Sequence, residues 1–149
     1  MTSFKIFVEC QQVDGYGNIF WSEVCARGGF LDGYCSQFDG YITEELFVGL
    51  SNIRDGYFSP LFKRPLPNDI SVSVRYKIDM LSCLGNNKAY CLLLEEIGLF
   101  DWTKQVYASF LTVPTTFSEL APDFVNCFIP ILQKMGSPNQ VRIIILKKG

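Results

Sequence analysis

The stretch 38–71, FDGYITEELFVGLSNIRDGYFSPLFKRPLPNDIS, puts a turn, an amphipathic helix and a proline-rich loop in immediate succession. Phe38-Asp39-Gly40 is a turn sequence set before an apolar run. Leu46, Phe47, Leu50 and Ile53 then fall at i, i+1, i+4 and i+7, one face of a 3.6-residue helix. This spacing predicts a helix over 43–54 with a buried face, stopped by Arg54-Asp55-Gly56. Pro60, Pro65 and Pro67 hold the following loop extended with few conformations, so Lys63 and Arg64 stand on a stiff backbone.

Working outward, residues 4–12 alternate Phe4, Ile6, Val8 and Cys10 against Lys5, Phe7, Glu9 and Gln11, the period of a strand. The cluster 13–18 is a turn, and Ile19 to Cys25 resumes the extended pattern, which predicts an antiparallel hairpin. Gly15 and Gly17 lack the third glycine and the following helix of a phosphate-binding loop. The glycine-rich connection 27–33 suits a loop, with Arg27 beside it. Asp69 or Ser71 is placed to cap a helix running to Met80, with Val72, Val74, Ile78 and Leu81 apolar and Arg75 and Lys77 on the wet side. Residues 89–94 form a short extended run and 95–100 a helical turn ending at Asp101-Trp102. A strand is predicted over 103–113 from its alternation. A last helix is predicted over 118–135, bearing Leu120, Phe124, Cys127, Phe128, Ile131, Leu132 and Met135, with Pro130 bending it or breaking a hydrogen bond. Residues 141–146 have the unbroken apolar character of a central strand. Together these elements predict an α+β domain spanning 1–149, a largely antiparallel sheet packed by two main helices.

Composition sets the bounds on function. The 149 residues are 48% apolar and 19% charged, which excludes a disordered tail or a coiled coil. The net charge of −2 argues against a dedicated nucleic-acid binder. The first ten residues lack a cleavage-site pattern, and no run reaches the roughly 18 apolar residues of a membrane helix, so a cytoplasmic protein with no membrane partner is expected. The six cysteines are then expected reduced.

The chain contains no histidine, which removes the commonest general base, every Ser-His and Cys-His nucleophile pair and the usual catalytic zinc ligands. The cysteines have no Cys-x-x-Cys spacing, so no metal and no cofactor are expected. Asp39, Asp69, Glu95, Glu96 and Asp101 are the carboxylates that a small metal-dependent phosphoester or nucleotide hydrolase would need to bring together. Each also has a plain role as turn, cap or first-turn residue. The basic residues are the better lead. Arg54, Lys63 and Arg64 are candidate ligand-binding residues because a guanidinium receives carboxylate or phosphate in bidentate fashion, and Arg27 and Arg142 could join them if the loop packs over the sheet edge. Tyr57 or Trp102 could stack on a base, although Trp102 and Trp21 also suit a core. In a protein-binding alternative, Tyr57, Phe58 and Phe62 of the same loop would carry the contact.

The order of these pieces resembles a family of small uncharacterised bacteriophage and prophage proteins. In that family an FFDG-like turn precedes a Leu-Phe helix and a Pro-x-Gly-Leu-Pro-x-Asp-Val-Ser loop. Here these places are held by Phe38-Asp39-Gly40, Leu46-Phe47 and Arg64-Pro65-Leu66-Pro67-Asn68-Asp69-Ile70-Ser71. A Leu-Glu-Glu segment closing in Asp-Trp is matched by Leu94-Glu95-Glu96 and Asp101-Trp102, and a Val-Arg-Leu-Val-Phe strand by Val141-Arg142-Ile143-Ile144-Ile145. The family's His-Ser segment is replaced by Asn87-Lys88-Ala89-Tyr90. The resemblance implies a phage accessory gene and no particular activity. The expected function is a non-catalytic binding protein that captures a host protein or a small anionic nucleotide signal, and so acts in counter-defence. A small hydrolase and a virion or assembly component are the alternatives.

Overall fold

The computed structural model describes residues 3–24, 38–51, 66–82, 88–106 and 111–148. Strands β1 (Ser3–Val13), β2 (Ile19–Glu23), β3 (Lys88–Leu93) and β6 (Val141–Lys148) form one sheet in the order β2-β1-β6-β3, antiparallel throughout. β6 is central, as its apolar run requires, and all residues from Val141 to Leu146 are buried. A tight turn joins β1 to β2. Asp14 accepts the amides of Tyr16 (2.8 Å) and Asn18 (2.9 Å), and Gly17 supplies the positive φ of 84°. These bonds, the one to Asn18 foremost, hold the Asp14 carboxyl below its ordinary value.

Alternation divides the sheet into two faces. On the first, Ile6, Val8, Cys10, Tyr90, Leu92, Ile143 and Ile145 meet α1 (Glu44–Ser51), α3 (Leu94–Leu99), α4 (Phe117–Leu120) and α5 (Ile129–Gln133). The helix read from Leu46, Phe47 and Leu50 is observed, with all three fully buried; Ile53 lies outside the described residues. Gly49 lets α1 approach closely, since a Cβ there would sit 2.6 Å from the Phe117 ring. On the second face, Phe7, Cys91, Ile144 and Leu146 are covered by Ile70 and by α2 (Val72–Ser82) through Val74 and Ile78. Ser71 caps α2, its hydroxyl accepting from Val74 N at 3.4 Å. Val72, expected among the apolar contacts of this helix, is instead 86% exposed.

Two predicted elements are corrected. Of the strand expected over 103–113, the described residues 103–106 and 111–113 contribute β4 (Gln105–Val106), paired with β5 (Thr115–Thr116) in a ladder separate from the main sheet; 107–110 lie outside the described residues. The fourth strand of the main sheet is β3, read above as a short extended run at 89–94, with buried residues on both faces, Tyr90 and Leu92 on one and Cys91 on the other. The helix expected over 118–135 is three pieces: α4, a widened π turn at Phe124–Phe128, and α5. Pro130 near the start of α5 donates no amide to the preceding turn, and the wider turn accommodates it. That turn keeps Phe124, Phe128 and Leu132 inward but rotates Cys127 out to solvent. Thr116 begins the segment with a reciprocal cap: its hydroxyl accepts Glu119 N, and the Glu119 carboxylate accepts Thr116 N.

Candidate functional site

The second face carries charge where an apolar layer would be expected. Glu9, Glu23 and Arg142 are at most 5% exposed, and β1 places Glu9 beside both of the others by register. A buried ion is tolerated only when its hydrogen-bonding capacity is met. Arg142 meets it by donating Nε to Glu9 Oε1 (2.7 Å), one terminal nitrogen to Asp69 Oδ1 (2.9 Å) and the other to the Asp69 carbonyl (3.1 Å). The Trp21 ring lies 4.0 Å from its Cζ, a cation–π contact. The second oxygen of Glu9 accepts the amide of Ser71 at 2.8 Å. Beside this cluster, Lys77 Nζ on α2 lies 2.9 Å from both oxygens of Glu23.

This arrangement is a clamp. Two strands and the chain at 69–71 meet on one guanidinium, so the start of α2 is pinned to the sheet by directional bonds as well as by apolar contact. Asp69 thus receives Arg142, and Ser71 does the capping. Arg142, considered as a partner of the basic loop, is committed to the clamp that fixes the chain just beyond it. Sequence reading missed the cluster because Glu9 and Arg142 are 133 positions apart and Glu9 looked like the wet side of an alternating strand. The available signal was Arg142 itself, a cation inside an otherwise apolar run.

Of the candidate ligand-binding residues, Arg54, Tyr57, Lys63 and Arg64 lie outside the described residues, as do Arg27, Phe58 and Phe62. Trp102 is described and half-buried; its indole packs against Phe100 (4.8 Å) and Phe124 (5.4 Å) and donates to the Ile97 carbonyl. The candidate carboxylates do not converge. Asp39 accepts the Ile6 amide (2.8 Å) at the part of the β1 edge that β2 leaves bare, and pairs with Lys5. Glu96 accepts the Leu93 amide at the start of α3 (3.0 Å). Asp101 accepts the hydroxyl and amide of Thr103, which together hold its carboxyl below the ordinary value. Glu95 is exposed. Among the described residues, no three His, Cys, Asp or Glu side chains are grouped to hold a metal ion, and no helix is long and apolar enough to cross a membrane.

Burial pushes the Cys10 thiol up to about 11, with the neighbouring Glu9 charge adding to the shift, so Cys10 is an inert core thiol. Comparison with known protein families, with curated proteins and with solved structures finds no match.

Proposed function

We propose that the protein is a non-catalytic binding protein, a phage accessory product that captures a host protein or a small anionic nucleotide signal and so blunts a host response. The observation that supports this reading is the clamp at residues 69–71. The basic, proline-rich sequence ending at Pro67 runs directly into a segment held by Arg142 and Glu9, so its C-terminal end is fixed to the sheet at low entropic cost to any ligand it receives. The separate structural tasks of Asp39, Asp69, Glu96 and Asp101 favour binding over metal-assisted hydrolysis, which needs convergent carboxylates. The phage setting comes from the resemblance in motif order alone.

With a nucleotide as ligand, Arg54, Lys63 and Arg64 contact phosphate and Tyr57 stacks on the base. With a protein partner, Tyr57, Phe58 and Phe62 carry the contact, and salt matters less. The test is native mass spectrometry of tagged protein recovered from infected cells. The expected result is a bound species whose affinity falls about thirtyfold or more in the Arg64→Ala variant, the loss typical of a desolvated charge pair. Recovery of no bound species, together with unchanged phage growth after deletion of the gene, contradicts the proposal.

A further inference from the structure

Register sets two buried carboxylates against each other. Glu9 on β1 stands directly opposite Glu23 on β2. Val24 N bonds Val8 O, so 8 and 24 form a hydrogen-bonded pair, and 9 and 23 beside them form the closer, non-hydrogen-bonded kind. Like charges directly opposed across a ladder are destabilising, the more so away from water, and both side chains are buried. Relief comes from outside the hairpin. Arg142 on β6 donates to one oxygen of Glu9, the Ser71 amide donates to the other, and Lys77 Nζ donates to both oxygens of Glu23. Ser71 and Lys77 are the cap and a mid-helix residue of α2, so one helix serves both carboxylates. The apolar hold of that helix is small. Among the described residues it contributes Val74 and Ile78 to the buried cluster on this face, with Leu81 partly buried, while Tyr76 and Met80 are 65% and 56% exposed.

We infer that α2 is a latch on the Glu9–Glu23 pair: together with residues 69–71 it opens as a unit while the sheet and the opposite helical layer stay folded, and Lys77 sets how often. A buried ion pair gains little over two solvated ions, so opening costs little beyond the small apolar contact. Removing one partner penalises the closed form alone, because the carboxylate left behind is solvated once α2 has lifted. Arg142 keeps Glu9, its neighbour by register, in both forms. An element with few buried apolar contacts and several solvent-facing side chains is the kind that opens ahead of the core it covers. Opening also releases residues 66–71 from the sheet. On the binding reading above, it therefore releases the fixed end of the basic loop, and ligand capture and closure of α2 favour each other. The opening itself belongs to the free chain and is tested without a ligand.

Two buried thiols report on the two faces. Cys91 lies in the cluster under α2, and Cys10 lies in the cluster on the opposite face. A buried thiol reacts only when its cover opens, so the rate of alkylation by iodoacetamide in the folded full chain, mapped by mass spectrometry of peptides, measures each opening. Cys91 is expected to be modified about tenfold or more faster than Cys10, which waits for loss of the aromatic layer. Lys77→Met keeps the aliphatic stem and strands Glu23 in the closed form; it is expected to speed modification of Cys91 about tenfold or more, with Cys10 still the slower of the two. Adding Glu23→Gln to Lys77→Met removes the stranded charge and the opposed pair together, and is expected to return Cys91 to near its parent rate. Equal rates at Cys91 and Cys10 in the parent chain, no acceleration by Lys77→Met, or a double variant as fast as Lys77→Met overturns the proposal.

Discussion

On one side of the sheet Phe47 meets Tyr90 and Phe124 meets Phe128 ring to ring, in a layer built from apolar residues; on the other, Phe7, Ile144 and Leu146 share the surface with Glu9, Glu23 and Arg142. The aromatic side is held by area. Burial of apolar surface is nondirectional and tolerates small shifts of its helices. Among the described residues, the polar side covers less apolar surface, with one helix, and adds directional bonds between named donors and acceptors. The teaching of the contrast is that α2 and the chain leading into it are located by the guanidinium of Arg142, while the helices opposite are located by shape.

The largest effects should come from the centre of each side. Phe128→Ala leaves a cavity among Phe38, Tyr41 and Phe124 and is expected to cost about 3–5 kcal/mol in urea unfolding. Arg142→Ala is expected to cost a similar 3–5 kcal/mol by a different route, stranding the buried carboxylate of Glu9. Hydrogen exchange separates the two: the arginine variant should lose protection first in the amides of α2, the phenylalanine variant in those of α5. Equal loss across both layers would erase the distinction.

Next in size is Gly49→Ala. A methyl group there meets Phe117, so overpacking should cost about 1–3 kcal/mol, read as a lowered urea midpoint at unchanged slope. Thr116→Ala removes the cap of α4 and should cost about 1 kcal/mol. The smallest effect belongs to the hairpin turn. The Asp14 carboxyl is held below its ordinary value of 3.8 by amide bonds made in the folded state. Its contribution is therefore fully present above that value and lost as pH falls through the lower folded-state value. Asp14→Ala should lower the melting temperature at neutral pH and converge with the parent chain in acid.

Much of this architecture was legible. Leu46, Phe47 and Leu50 announced their helix by spacing, and the alternation of Phe4 to Cys10 and the apolar run at 141–146 identified two neighbouring strands. Where the reading failed, the cause was tertiary. β3 was legible as an extended run at 89–94 but, buried on both faces, gave no sign of its place in the sheet, while the described part of 103–113 contributes a two-residue ladder. Pro130 was recognised as an interruption, but its local consequence, a wide turn that expels Cys127, depends on how the turn packs. The clamp was hidden because its members come from three distant segments, and Glu9, which alternation puts on the wet side of its strand, is buried where it meets Ser71 and Arg142. The basic residues Arg54, Lys63 and Arg64 were legible as chemistry, and their placement lies outside the described residues.

The most direct test of the clamp is a double-mutant cycle on Glu9→Leu and Arg142→Met, followed by urea unfolding at neutral pH. Arg142→Met leaves the buried Glu9 carboxylate without its cation and should lose about 3–5 kcal/mol, Glu9→Leu leaves Arg142 its bonds to Asp69 and should lose less, and the double variant, which replaces the pair with apolar groups, should lose less than the sum. Strictly additive losses would contradict the account, because they would mean that Glu9 and Arg142 contribute to the fold independently of each other.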